Sequence, residues 1–280
     1  MQNIQRTAYG VYLQTCLLTN QPVDILANSS MNQKLGINPS VGILSTDRPS
    51  LAYFAIGNGG HTITPGSGNL PATFAYVPHR STDASLYSQL PFILRAQNND
   101  LTSTEMLKYR LRKVVTYNGA TYIAYYLKVI DYSSVVPSIN YNAVSGSVTT
   151  TTPFVPNTNN LNPIPPVLNN QGVVTTTGDY LTASATLPLV LSANDITEIL
   201  NACTIIYGSP NYAIISEIAM CTGIDKTLTG TFGTTQAPYM EAIGVQVMSF
   251  LNSAYPLTNI SNSLTIDFEL GSTEPLLLSN

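Results

Sequence analysis

Apolar and polar positions alternate most clearly between Lys108 and Asp131, where two runs rich in Val, Ile, Thr and Tyr flank Asn118-Gly119. Asn-Gly tolerates positive φ at both central positions of a type I′ turn, so the pattern predicts a β-hairpin. Counting outward from the turn pairs Thr116 with Thr121, Val114 with Ile123, Arg112 with Tyr125 and Arg110 with Leu127 on one face. Val115, Leu111, Tyr122 and Tyr126 fall on the other. Further along, Ser192-Ala-Asn-Asp195 offers N-cap chemistry ahead of Ile196, Ile199, Leu200 and Cys203. That spacing of 3 and 4 predicts one short amphipathic helix ending near Gly208. Strand-like segments follow at roughly 212–224, 239–251 and 264–270, each with partial period-2 alternation.

Elsewhere the pattern is weaker. Prolines at 22, 39, 49, 65, 71, 78 and 91 leave room for only short elements in the first hundred residues, with a short helix expected around 83–90, capped by Ser81 or Thr82 and stopped by Pro91. Residues 133–178 are rich in Ser, Thr, Asn, Pro and Gly, with the run Thr149 to Thr152 and a cluster at Pro163, Pro165 and Pro166. This stretch reads as an extended arm or linker with polyproline II geometry at the prolines, either wrapping a neighbour or forming a disordered surface loop. The expected organisation is a β-rich lobe over 1–132, the arm over 133–178, and an α+β lobe over 179–280. The fold class is mainly β or α+β, with antiparallel hairpins, a small C-terminal sheet carrying one short helix, and long irregular arms.

Composition sharpens this. Only 9% of the 280 residues are Asp, Glu, Lys or Arg, against roughly 25% in an average domain. The net charge is just −4, and 17 Tyr and 7 Phe argue for a folded chain. Much of the surface is then expected to be covered by neighbours. Cys16, Cys203 and Cys221 match no zinc or redox spacing and read as buried free thiols. The N-terminal residues do not resemble a signal peptide, and no apolar run reaches the roughly 18 to 20 residues of a membrane span. Cytoplasmic synthesis without membrane insertion is the expectation.

Motifs for chemistry are sparse. Gly57-Asn-Gly-Gly-His61 fits neither the P-loop nor the dinucleotide spacing and reads as a tight turn. His61, His79 and Asp83 offer zinc-ligand types without a compact ligand pairing. No serine sits in a G-x-S-x-G elbow, and nothing nominates a carboxylate pair. No catalytic residue, metal or cofactor is expected.

Seven of the eleven Lys and Arg residues lie between positions 80 and 128, interleaved with tyrosines. A basic aromatic face suits single-stranded nucleic acid, but Arg with Tyr is equally the signature of protein interfaces, and the acidic balance of the chain favours the latter. The candidate interface comprises Arg110, Arg112 and Lys113 with Tyr122, Tyr125 and Tyr126, together with His79 and Arg80. Arg112 over Tyr125 would form a cross-strand cation-π pair.

Between 57 and 131, Gly-Asn-Gly-Gly-His, Tyr76-Val-Pro-His79-Arg80-Ser-Thr-Asp83, Leu90-Pro-Phe92, Tyr109-Arg-Leu-Arg112 and Ala124-Tyr-Tyr-Leu-Lys-Val-Ile-Asp131 stand in order. This quarter of the chain resembles virion structural proteins of contractile-tailed bacteriophages. The resemblance implies a neck, tail or baseplate subunit without catalytic residues, whose partners are other virion proteins and copies of itself. The alternatives are a receptor- or glycan-binding tail appendage, in which exposed tyrosines stack on sugars, and a virion cell-wall hydrolase.

Overall fold

A computed structural model describes residues 3–66, 73–163, 170–171, 178–232 and 235–276. In chain order it contains β1 (Asn3–Arg6), α1 (Ala8–Leu18), α2 (Met31–Leu35), β2 (Ser50–Gly57), β3 (His61–Thr64), β4 (Thr73–Tyr76), β5 (Gln89–Leu90), β6 (Ile93–Ala96) and α3 (Ser103–Met106). It continues with β7 (Tyr109–Tyr117), β8 (Ala120–Val129), β9 (Ser138–Ser145), β10 (Val148–Pro153), β11 (Tyr180–Leu191), α4 (Ala193–Tyr207), β12 (Ile214–Phe232), β13 (Thr235–Pro256) and β14 (Leu264–Pro275). The protein is mainly β with antiparallel sheets. No helix among the described residues is long and apolar enough to cross a membrane.

The chain forms two compact units, Met1–Ile130 with Val190–Leu264, and Asp131–Leu189 with Thr265–Asn280. These units do not follow the sequential division at 132 and 178, because β12 and β13 return to pair with N-terminal strands.

The first unit is built on an eight-stranded sheet with the path β1-β13-β12-β2-β8-β6, to which β5 adds on β2 and β7 on β8. The β7-β8 hairpin has the register its sequence dictates, Thr116 opposite Thr121 through Arg110 opposite Leu127, with Asn118 at φ 49° in the turn. β12 and β13 run 19 and 22 residues, far beyond a typical strand of about 5 to 6 residues. Three register shifts, at Ile215/Glu217, Met220/Cys221 and Thr222/Ile224, bend the pair. From Ile215 to Gly223 every residue of β12 is buried, because both sheet faces are covered; beyond Ile224 burial alternates. The core gathers Tyr53, Ala55, Leu94, Ala124, Ala219, Cys221, Val247 and Phe250, among others. A smaller cluster of Tyr9, Leu13, Cys16 and Val23 seats α1. All three cysteines are free and buried.

The helix expected after Ser192 is present: Ser192 caps it, Asp195 closes a capping box, and Gly208 ends it. The helix expected at 83–90 is absent. Tyr87 and Ser88 instead donate their N–H groups to the Glu217 carboxylate, which helical pairing would have forbidden.

The second unit is a four-stranded sheet, β10-β9-β11-β14. The first part of the expected arm is therefore ordered: β9 and β10 form a hairpin over six paired positions. Gly146, at φ 62°, takes the first of two central turn positions, as a type II′ turn requires. Asn142 joins three strands, donating to Thr182 Oγ1 of β11 and accepting from Thr151 Oγ1 of β10. Pro165 and Pro166, and the polyproline geometry expected of them, lie outside the described residues.

Candidate functional site

The β7-β8 hairpin places its cations beside tyrosines, and the fold then supplies Arg110, Arg112 and Lys128 each with an aspartate from elsewhere. Arg110 grips Asp225 with two bonds, Nε to Oδ1 at 2.7 Å and Nη2 to Oδ2 at 2.8 Å, while Tyr53 donates its O–H to the same Oδ1 at 2.7 Å. Arg112 binds Asp100 Oδ2 through Nε and Nη2 at 3.0 and 2.7 Å, and Tyr125 donates to Asp100 Oδ1 at 2.8 Å. Lys128 pairs with Asp195, to which Tyr109 donates at 2.5 Å and Ser192 through both its N–H and O–H. The same unit of cation, aspartate and phenol thus occurs three times on this hairpin, and a fourth time outside it, where Arg80 and the Tyr87 O–H both donate to Asp83. Arg95 adds a pair to Glu198 of α4.

Burial sets the energetics. The Arg110, Arg112 and Lys128 side chains are only 5, 8 and 12% exposed, so removing one partner would strand a charge in a poorly hydrated place. Burial pushes the Asp195 carboxyl upward, but Lys128, Ser192 and Tyr109 outweigh it and hold it below the usual range. Burial also lowers Lys128, against the opposing pull of Asp195. Burial, then the neighbouring aspartate, raises Tyr53 and Tyr109 far above the ordinary phenol value; in Tyr125 burial and Asp100 act likewise. Lys128, Tyr109 and Asp195 line a cavity of about 270 Å³ with Leu101, Glu105, Lys108, Ser192 and Asn194.

A second buried network ties the glycine-rich turn to β12. Glu217 accepts from the N–H groups of Gly59 (3.0 Å) and Ser88 (2.8 Å) on Oε1 and of Tyr87 (2.9 Å) on Oε2, where His79 Nε2 also lies at 2.8 Å. His79 is sandwiched between the rings of Tyr87 and Phe250, at 4.1 and 3.8 Å, and its Nδ1 faces Asp83 at 3.4 Å. A side chain at Gly60 would meet the Ser216 carbonyl at 2.4 Å, so glycine is needed there for close approach. His61 is apart from this cluster, stacked on Phe74. Among the described residues no group of three His, Cys, Asp or Glu side chains is arranged to hold a metal ion.

The edge of β7 is capped in a third way. Leu111 adopts φ 56°, and the N–H groups of Leu111 and Arg112 both donate to the Glu241 carboxylate, at 2.6 and 3.0 Å. Burial raises Glu241, opposed by these amides and by Arg110.

Of the residues expected to form an interface, Arg110, Tyr125, Tyr126 and His79 are buried inside the chain. Arg112, Lys113 and Tyr122 are half-buried, and Arg80 is exposed beside Asp83. The basic face is satisfied internally: Lys113 donates to the Leu35 carbonyl, and the Arg112 guanidinium lies 4.4 Å over the Phe232 ring rather than over Tyr125. Sequence reading missed the carboxylates Asp100, Asp225, Glu217 and Glu241, whose partners lie far away along the chain. Asp195 was visible only as capping chemistry.

A family model, described as a family of unknown function (DUF7208), matches residues 1–280. The chain belongs to that family. No curated protein and no solved structure matches this DUF7208 chain.

Proposed function

We propose that this protein is a non-catalytic structural subunit of a tailed-bacteriophage virion, acting in the neck, tail or baseplate through contacts with other virion proteins and with copies of itself. The observation that carries the reading is the scarcity of charge on its surface, since more than half of its few ionic groups are buried or half-buried. Six of the eleven cations, Arg95, Arg110, Arg112, Lys113, Lys128 and Lys226, are buried or half-buried, and Arg6, Lys34, Arg48, Arg80 and Lys108 are exposed, so on a chain this poor in charge the exterior is dominated by hydroxyl, amide and apolar groups. Leu18 (79% exposed), Leu44 (61%), Leu107 (60%), Val136 (78%) and Val155 (68%) stand on that exterior. Such a surface suits large, wet contacts with neighbouring subunits. The most chemically suggestive group, His79, is sealed from solvent with its Nε2 against Glu217, which fits a structural role. Immunogold labelling of purified tailed-phage particles carrying the gene tests the proposal. Label at the neck, tail or baseplate is expected; particles free of the chain would overturn it.

A receptor- or glycan-binding appendage is the second reading, favoured by one feature. Tyr207 and Tyr212 are both exposed, with ring centroids 5.0 Å apart, beside Asn58 and Ser88. Saccharide binding by the isolated chain, lost in Tyr212→Ala, would select it.

A further inference from the structure

Each edge of a β-sheet presents N–H and C=O groups able to accept another strand, and proteins blunt such edges with charge, proline, bulges or shortness. Among the described residues, β3 and β4 of the two-stranded sheet are only four residues long, and the edges of the two larger sheets follow that rule with one exception. β1 is four residues long and ends on Arg6, and β6 is equally short and carries Arg95. β7 is interrupted at Leu111 and capped there by Glu241. β14 bears Asp267, Glu269 and Glu274. β10 has none of these protections: Val148-Thr-Thr-Thr-Thr-Pro153 is uncharged, exposed at every position, and in unbroken register with β9, with proline only at its last residue. Among the described residues no strand pairs with its outer edge.

The two-residue turn fixes which groups are free. Ser145 and Val148 flank the turn and form the first bonded pair, so Val148, Thr150 and Thr152 direct their backbone groups toward β9. Thr149 and Thr151 direct theirs outward.

We propose that β10 is a strand-addition edge whose occupant is β10 of a second copy, antiparallel about a two-fold axis through Thr150. In that register Thr149 exchanges both N–H···O=C bonds with Thr151 of the partner subunit, and Thr151 does so with the partner's Thr149. Thr150 faces its own counterpart, and Val148 faces the partner's Thr152. The match of charge selects this occupant. A neutral edge meets a neutral edge, each cross-strand pair is Thr with Thr or Val with Thr, and no ionic group is placed opposite a hydroxyl. Two four-stranded sheets become one of eight, through an isologous contact that closes on itself.

This deepens the assembly-subunit reading and rests on it. Thr149→Pro removes one outward N–H and leaves the bonds to β9 intact, as proline at a sheet edge allows. Thr150→Lys sets two ammonium groups against each other across the axis. Sedimentation of the full chain should show the wild type dimerising below about 1 mM, and each variant weakening dimerisation by about tenfold or more with an unchanged circular dichroism spectrum. If Thr149→Pro proves misfolded, Thr150→Lys decides. A wild-type chain that stays monomeric overturns the proposal, as do folded variants that associate as the wild type does. The latter result leaves the assembly reading standing, which labelling of particles tests separately.

Discussion

Asp100, Asp195 and Asp225 each accept a phenol O–H and a cation, and the consequence for the tyrosines is a pH dependence of definite sign. Tyr53, Tyr109 and Tyr125 are raised well above the ordinary phenol value in the folded chain, by burial and an adjacent carboxylate. The unfolded chain ionises them near pH about 10 while the folded chain does not, so the stability they contribute is complete below that value and is lost as pH rises beyond it. Alkaline titration followed by tyrosinate absorbance and circular dichroism should show these three phenols ionising only with cooperative unfolding. A smooth titration of all 17 tyrosines with the fold intact would contradict the buried pairs.

At the scale of elements, Asp195 does two tasks: it closes the capping box of α4 and neutralises Lys128. Lys128→Met should therefore destabilise the protein by about 3 to 5 kcal/mol in urea unfolding, because Asp195 is left charged and buried. Adding Asp195→Asn, which keeps a capping side chain, should recover part of that loss. Fully additive effects would show that the two side chains do not interact. The elements most legible in the sequence were those whose signals are local. The Asn118-Gly119 turn set the β7-β8 register, and Ser192 with Asp195 set the start of α4. α1 escaped notice although Thr7 caps it and Tyr9, Leu13 and Cys16 fall at helical spacing, because Val11, Leu17 and Leu18 on its other faces blur the period. The β9-β10 hairpin was hidden because a Gly-Ser turn between Thr- and Asn-rich strands has the composition of a linker. The burial of Arg110 and Tyr125 is not legible in the sequence for a different reason: arginine and tyrosine form the same contacts inside a fold as across one, and only the tertiary positions of Asp100 and Asp225 decide which.

For the whole molecule, scarce charge and inward-facing charge are one design. With ionic groups scarce and more than half of them buried or half-buried, the exterior holds few charges to attract or repel a neighbour, and association must come mainly from hydrogen bonds and apolar burial, which salt screens little. Sedimentation velocity of the full chain from low salt to about 1 M, where the screening length falls to about 3 Å, tests this most directly. The account predicts self-association that persists or strengthens as salt rises; dissociation with added salt, or a lone monomer at every concentration, would contradict it.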